Sequence, residues 1–236
     1  MAFILPIEEP WTSQPQEVVG LDWSNPIAKR LIGGCVAGAN ISIRPGVVST
    51  VGKTATPSGM ASSGGSGSYV TCPYQKGQIG RTNGGTTETA HHTVVFLAHN
   101  VGNGFIYDCQ SDGFSSSALD IKVVAGNYHQ WASGVDMFSG VSATVPSSGR
   151  VFIAAYSGQQ SGAQPEVTIN KTKYTGSNAS QDSWSTMRYG CFFGSSAYPA
   201  SNIFVGAGVV ALVFSGKLSD GEIASMYASP WQIFAP

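Results

Sequence analysis

Residues Ile203–Phe214 read IFVGAGVVALVF, and the chain runs on through Ser215-Gly216-Lys217 into Leu218-Ser219-Asp220-Gly221-Glu222-Ile223. The first stretch is almost wholly apolar, yet it falls far short of the roughly 20 residues that a membrane-spanning helix needs. Its glycine and valine content suits a buried strand better. The second stretch is a capping box, in which Ser219 accepts from the backbone N–H of Glu222 and the Glu222 carboxylate reaches back. Ile223, Met226 and Tyr227 then recur at i, i+3 and i+4, and Pro230 ends the run. Together they predict a long buried strand followed by a short amphipathic helix lying against its sheet.

Working outward, short stretches rich in Val, Ile, Phe and Tyr recur at Thr93–Ala98, Gly104–Cys109, Leu119–Val124, Arg150–Tyr156 and Glu166–Asn170. Turn clusters punctuate the chain: Gly64-Gly65-Ser66-Gly67, Asn83-Gly84-Gly85, Gly102-Asn103-Gly104, Ser111-Asp112-Gly113 and Ser147-Ser148-Gly149. Many short strands between Gly, Ser and Asn turns predict an antiparallel sandwich or barrel. Thr93–Ala98 and Gly104–Cys109, joined through His99-Asn100-Val101-Gly102-Asn103, read as the clearest hairpin. Pro57–Ser68 reads as a surface loop rather than a boundary between domains.

The 236 residues carry 12 Lys+Arg against 13 Asp+Glu, and only 11% of the chain is charged. Ordinary soluble proteins carry roughly 25%. With 42% hydrophobic residues there is material for a core, so disorder is excluded. No basic stripe is present to neutralise phosphates, so nucleic acid is not an expected partner. The opening MAFILPIEEPW has no basic n-region and its apolar run stops at Pro6, so no export signal and no membrane insertion are expected. Pro6, Pro10 and Pro15 make residues 1–25 an extended arm ahead of a β-domain over 26–236. Phe3, Trp11 and Trp23 are its docking candidates, because a solvated tail seldom carries large apolar side chains. Cys35, Cys72, Cys109 and Cys191 form no C-x-x-C pair and read as buried free thiols.

Catalytic patterns are scarce. A two-carboxylate glycosidase on one strand shows E-x-D or E-x-E, both side chains on one face, and neither occurs here. A pair assembled from different strands stays open to a hydrolase. Asp108, Asp112 and Asp120 are the densest acidic group, but the spacing of a calcium loop is missing, so no metal and no cofactor are expected. His92 falls on the opposite strand face from both its neighbour His91 and His99, and His129 sits beside Tyr128 and Trp131. No G-x-S-x-G elbow or phosphate-binding glycine loop occurs. The remaining candidates are the aromatics Tyr128, Trp131, Trp184 and Tyr198, in or beside loops rich in Asn, Asp and Gly. They could grip a sugar by stacking and a few hydrogen bonds, or cap the core edges.

Two segments bracket the chain: Gly20-Leu21-Asp22-Trp23-Ser24-Asn25-Pro26 at its start, and Leu218–Ile223 with Ser229-Pro230-Trp231-Gln232-Ile233-Phe234 at its end. This pairing resembles the laminin-G-like, concanavalin A-like jelly-roll proteins encoded by tailed bacteriophages, with Ser229 in place of the usual Asn and Gly221 in place of the common Ala. The resemblance implies a two-sheet antiparallel jelly-roll sandwich with one short C-terminal helix, and a place on the virion. No residues match that family's carbohydrate or calcium sites.

The resulting expectation is a non-enzymatic virion structural protein on the particle exterior, with capsid decoration ranked before a tail adhesin. Its expected partners are other virion proteins, the major capsid or a tail protein, and further copies of itself. The alternative is a carbohydrate-binding or host-receptor module that takes a host-surface glycan, and a glycan hydrolase of the same fold ranks last.

Overall fold

His92–Ala98 are buried without interruption, as are Val151–Tyr156 and Gly208–Phe214. Strands with no apolar–polar alternation belong at the centre of a sheet covered on both sides. In the computed structural model they are the three central strands of the larger of two packed antiparallel sheets. The structure describes residues 20–36, 41–44, 47–49, 60–61, 70–73, 92–110, 117–132, 135–157, 164–178, 189–193 and 204–234. After a 3-10 turn at Ala28–Arg30 come β1 (Leu31–Val36), β2 (Ile41–Arg44), β3 (Val47–Ser49), β4 (Met60–Ala61) and β5 (Val70–Pro73). Then follow β6 (His92–His99), β7 (Gly104–Gln110), β8 (Ser117–Val124), β9 (Asn127–Ala132) and β10 (Val135–Asp136). The order closes with β11 (Arg150–Tyr156), β12 (Glu166–Ile169), β13 (Thr172–Thr175), β14 (Tyr189–Phe192), β15 (Ala207–Ser215) and helix α1 (Asp220–Ala228).

The seven-stranded sheet runs β1-β15-β6-β11-β12-β13, with β4 also on β15. The six-stranded sheet runs β10-β9-β8-β7-β14-β5, and β2 and β3 form a separate ribbon. Val94, Phe96, Ile153, Ala155, Ala211 and Val213 face Tyr107, Leu119, Ile121, Val123, Tyr128 and Phe192 across the sandwich core. The opposite face of the larger sheet, with Val95, Leu97, Phe152, Val210, Leu212 and Phe214, is covered by Ile27, Leu218, Met226, Trp231 and Ile233. The all-β sandwich with one short helix is therefore as expected.

Helix α1 starts where the capping box places it. Ser219 Oγ accepts from Glu222 N at 3.3 Å, and Glu222 Oε2 accepts from Ser219 N at 2.7 Å. Arg30 ties this cap to the sheet, donating to both Glu222 oxygens at 3.1 Å and to the carbonyls of Ser215 and Lys217. The strand before it begins later than the apolar run suggests. Gly206 has φ +139°, and a Cβ there would stand 2.9 Å from the carbonyl oxygens of His99 and Asn100. Phe204 instead turns into the core beside Phe193, ring centroids 5.1 Å apart.

One expectation is corrected. Thr93–Ala98 and Gly104–Cys109 do not pair as a hairpin: β6 lies between β15 and β11 in one sheet, and β7 between β8 and β14 in the other. The connection crosses between sheets. Its loop is tied to neighbouring loops, through Asn100 N to Gly149 O, Gly149 N to Asn100 Oδ1 and Gly102 N to Val205 O. The neighbours of β6 are instead β15 and β11, each buried over most of its length. The cysteine side chains lie outside the described residues.

Candidate functional site

The two bracketing segments meet. Leu21 bridges to Phe234, Asp22 N donates to Ile233 O at 2.9 Å, and Asn25 Nδ2 donates to Gln232 O at 3.1 Å. Leu21–Asn25, at the inner end of the expected arm, are thus held against the C-terminal segment. Local turn chemistry shapes this clasp. Asp22 Oδ1 accepts from Ser24 N and Ser24 Oγ, which hold its carboxyl below the usual range, and Asn25 Oδ1 accepts from Ile27 N at 2.9 Å. Between them Trp23 stands 50% exposed, the largest described side chain left in solvent to that degree. Trp231 Nε1 and Gln232 Nε2, both buried, find no acceptor among the described residues.

A second cluster lies on the outer face of the six-stranded sheet. Along β8, Leu119, Ile121 and Val123 point into the core while Asp120 and Lys122 point out; along β9, Tyr128 and Gln130 point in while His129 and Trp131 point out. Val124 and Asn127 flank the two-residue turn Ala125-Gly126, and this register sets Lys122 opposite His129 and Asp120 opposite Trp131. Asp136 on β10 pairs with Trp131 from the other side, and Asp108 on β7 with Asp120. His129 Nδ1 meets Asp136 Oδ2 at 2.7 Å, and Asp136 Oδ1 accepts from Phe138 N at 3.0 Å. Lys122 Nζ lies 4.5 Å from the Trp131 ring centroid and 5.5 Å from that of Phe105.

Several other carboxylates are held in structural ties. Burial alone would raise Glu166, but hydrogen bonds from Lys217 (2.6 Å) and Lys173 (2.9 Å) outweigh it and hold the carboxyl low. Lys173 also pairs with Asp220 at 2.8 Å, which lowers Asp220. For Glu222, too, burial acts upward and is outweighed, by the Ser219 hydrogen bonds and Arg30. Asp108 and Asp120 face each other across β7 and β8, and register alone places their Cβ atoms about 5 Å apart. Asp108 is fully buried.

The sequence-predicted residues divide as follows. Tyr128 is corrected: it is fully buried, its ring edge-on to Phe138 at 5.0 Å and its hydroxyl donating to Gln130 Oε1 at 2.7 Å, so no sugar reaches it. Burial, reinforced by the Asp136 charge, pushes this phenol well above the ordinary tyrosine range. It faces inward because β9 alternates, a consequence of register that a loop assignment misses. Trp131 is on the outer face and partly exposed, Trp23 is on the clasp, and Ser219 and Glu222 form the cap. Phe3, Trp11, Trp184 and Tyr198 lie outside the described residues. The His129–Asp136 contact, across β9 and β10, and the Asp108–Asp120 pair, across β7 and β8, were missed; the Ala125-Gly126 turn signals only the β8–β9 register that sets Lys122 opposite His129.

No protein-family model and no curated protein matches the chain. Among solved structures the fold is similar to Trypanosoma rangeli sialidase in complex with sialic acid, with TM-score 0.59 and 14% identity over 87% of this chain. The same sialidase in complex with 2,3-difluoro-KDN gives TM-score 0.58 and 13% identity over 87% of this chain. The chain spans about a third of those proteins' length, 34% and 33% respectively. At this identity the likeness establishes the β-sandwich and no more.

Proposed function

We propose that this protein is a non-enzymatic structural protein of a tailed-phage particle, docked on the capsid as a decoration protein through its terminal clasp. The observation that carries this reading is the clasp itself. The two segments that carry the phage resemblance are far apart in sequence and bond to each other, and together they hold a half-exposed Trp23 on a hydrogen-bonded turn. A rigidly presented indole is the kind of side chain that anchors a protein interface. Among the described carboxylates the non-enzymatic reading is supported by Glu166, Glu222, Asp220 and Asp22, which are engaged in ties that build the fold, by Asp136, which meets His129, and by Asp108, which is sealed from solvent.

The test is incorporation into particles. Trp23→Ala and a deletion of residues 1–20 are each expressed in place of the wild-type chain, and purified virions are assayed for copies of the protein by quantitative mass spectrometry. Both variants are expected to keep the wild-type thermal transition and to be lost from particles. Unchanged incorporation of a folded Trp23→Ala protein overturns clasp docking.

A further inference from the structure

We propose that β13 is a self-association edge: two copies of this chain join β13 to β13, antiparallel, about a two-fold axis at Tyr174, and so make one continuous sheet. This goes beyond the docking reading and does not depend on it. β13 ends the seven-stranded sheet, and among the described residues no strand pairs with its outer side and no loop backbone bonds to it. Thr172, Lys173 and Thr175 are exposed, and Tyr174 is half-buried against the sandwich core.

Hairpin geometry decides which backbone groups look outward. The two-residue turn Asn170-Lys171 makes Ile169–Thr172 a hydrogen-bonded pair, and bonded and non-bonded pairs then alternate along the ladder. Gly176 N donates to Pro165 O at 2.8 Å, in phase with that alternation. Lys173 and Thr175 therefore turn their N–H and C=O groups away from β12. Such an edge is a template for a further strand unless proline, a bulge or a free lysine blunts it. β13 carries no proline, and its register with β12 is unbroken. Its lysine is drawn onto the sheet, with Nζ 2.9 Å from Glu166 and 2.8 Å from Asp220.

Charge selects the occupant and the register. With the axis at Tyr174, Lys173 lies opposite the partner's Thr175 and Thr175 opposite the partner's Lys173, each pair exchanging both N–H···O bonds. The outer-face row then reads Glu166, Thr175 and the partner's Lys173, so opposite charges share a row across the axis. Tyr174 meets the partner's Tyr174 as a non-bonded pair, Cα atoms about 4.5 Å apart, which brings the two aromatic side chains together. Thr172 faces the partner's Gly176, which offers no side chain to obstruct it. An axis at Lys173 sets two lysines directly opposite, which is repulsive. An axis at Thr175 draws in Ser177, whose hydroxyl already donates to Ser139 O at 2.7 Å, and Asn178, whose N–H donates to Met137 O at 3.2 Å. Paired residues share a sheet face, so both copies keep helix α1 and the clasp on the same side, where two clasps can engage one support.

The test is sedimentation velocity of the purified full chain over a range of concentrations, with Thr175→Pro and Thr175→Val beside the wild type. Proline at 175 removes an N–H that β12 does not use, so the hairpin is spared while each copy loses one bond to the other. Wild type and Thr175→Val, which keeps the N–H, are expected to dimerise with equal affinity. Thr175→Pro should keep the wild-type circular dichroism and associate about thirtyfold or more weakly. Site-resolved amide exchange on the wild type gives a second reading that needs no variant: the Lys173 and Thr175 amides should be protected in the dimer and exchange freely on dilution. A wild-type chain that stays monomeric at every concentration, a folded Thr175→Pro that dimerises like the wild type, or free exchange at both amides in a dimeric sample overturns the proposal. All of this is read on the isolated protein, whereas clasp docking is read from particle incorporation.

Discussion

Asn25 is the side chain on which the clasp turns. Its Oδ1 accepts from Ile27 N at 2.9 Å, fixing the turn, and its Nδ2 donates to Gln232 O at 3.1 Å, joining the two ends of the chain. Each bond is partly buried and contributes about 1 kcal/mol, so Asn25→Ala should cost about 2 kcal/mol. For a chain of this size that corresponds to a fall in Tm of about 4 to 8 °C. Asn25→Asp separates the two bonds, because the carboxylate keeps the acceptor for Ile27 N and loses the donor. It should cost about 1 kcal/mol at neutral pH, somewhat more if the carboxylate is forced against the Gln232 carbonyl. That repulsion raises the folded-state pKa of the introduced Asp above its unfolded value of about 3.9. Its penalty is therefore present at neutral pH and is relieved, relative to wild type, as pH falls through the folded pKa and the neutral carboxyl donates again. Urea unfolding from pH 3 to 7, comparing variant and wild type at each pH, reads both effects. A cost below about 0.3 kcal/mol for Asn25→Ala would refute the reasoning, since a surface change away from any tie costs no more.

Three further outcomes follow from the geometry. Ala125 sits at φ +50° before Gly126 at φ +77° in the β8–β9 turn, where Asn-Gly is preferred, so Ala125→Asn should raise stability by about 0.5 to 1 kcal/mol in thermal melts. Tyr128 is raised well above its ordinary pKa by burial, and Tyr156 is pushed up to about 12 by burial and the Glu166 charge. Both phenols are neutral in the fold, so stability is level below an unfolded tyrosine pKa of about 10 and declines above it. Absorbance at 295 nm should show Tyr128 ionising only as the protein unfolds, whereas ionisation in the folded state would contradict its burial. A Cβ on Gly208 would stand 2.5 Å from the Phe193 ring, so Gly208→Ala should destabilise by about 1 to 3 kcal/mol in urea, and a neutral result would deny that close packing.

The parts of the fold legible in the sequence were those set by local chemistry. The Ser219–Glu222 box needs only four consecutive residues, and the unbroken apolar character of Val151–Tyr156 and Gly208–Phe214 follows from burial on both faces of one sheet. Sheet membership was not legible for β6 and β7, because a four-residue link between two strands serves an arch between sheets as well as a hairpin within one. The choice depends on the neighbours β15 and β11, distant in sequence. Register made the same difference at the candidate sites. Tyr128 and Trp131 are three residues apart on one strand and face opposite ways, so one is core and the other surface. His129 and Asp136 come together only because β9 turns directly into β10. The clasp was half legible: its two segments stood out as motifs, but nothing local in either shows that Asn25 reaches Gln232.

The central claim, that the clasp is a docking surface on a phage particle, is tested most directly by cryo-electron microscopy of the intact virion at side-chain resolution. The account predicts density for this sandwich on the head lattice, with Trp23 seated in the major shell protein and the six-stranded sheet facing outward. Density confined to the tail, or a head-bound sandwich whose Trp23 faces solvent, would contradict it.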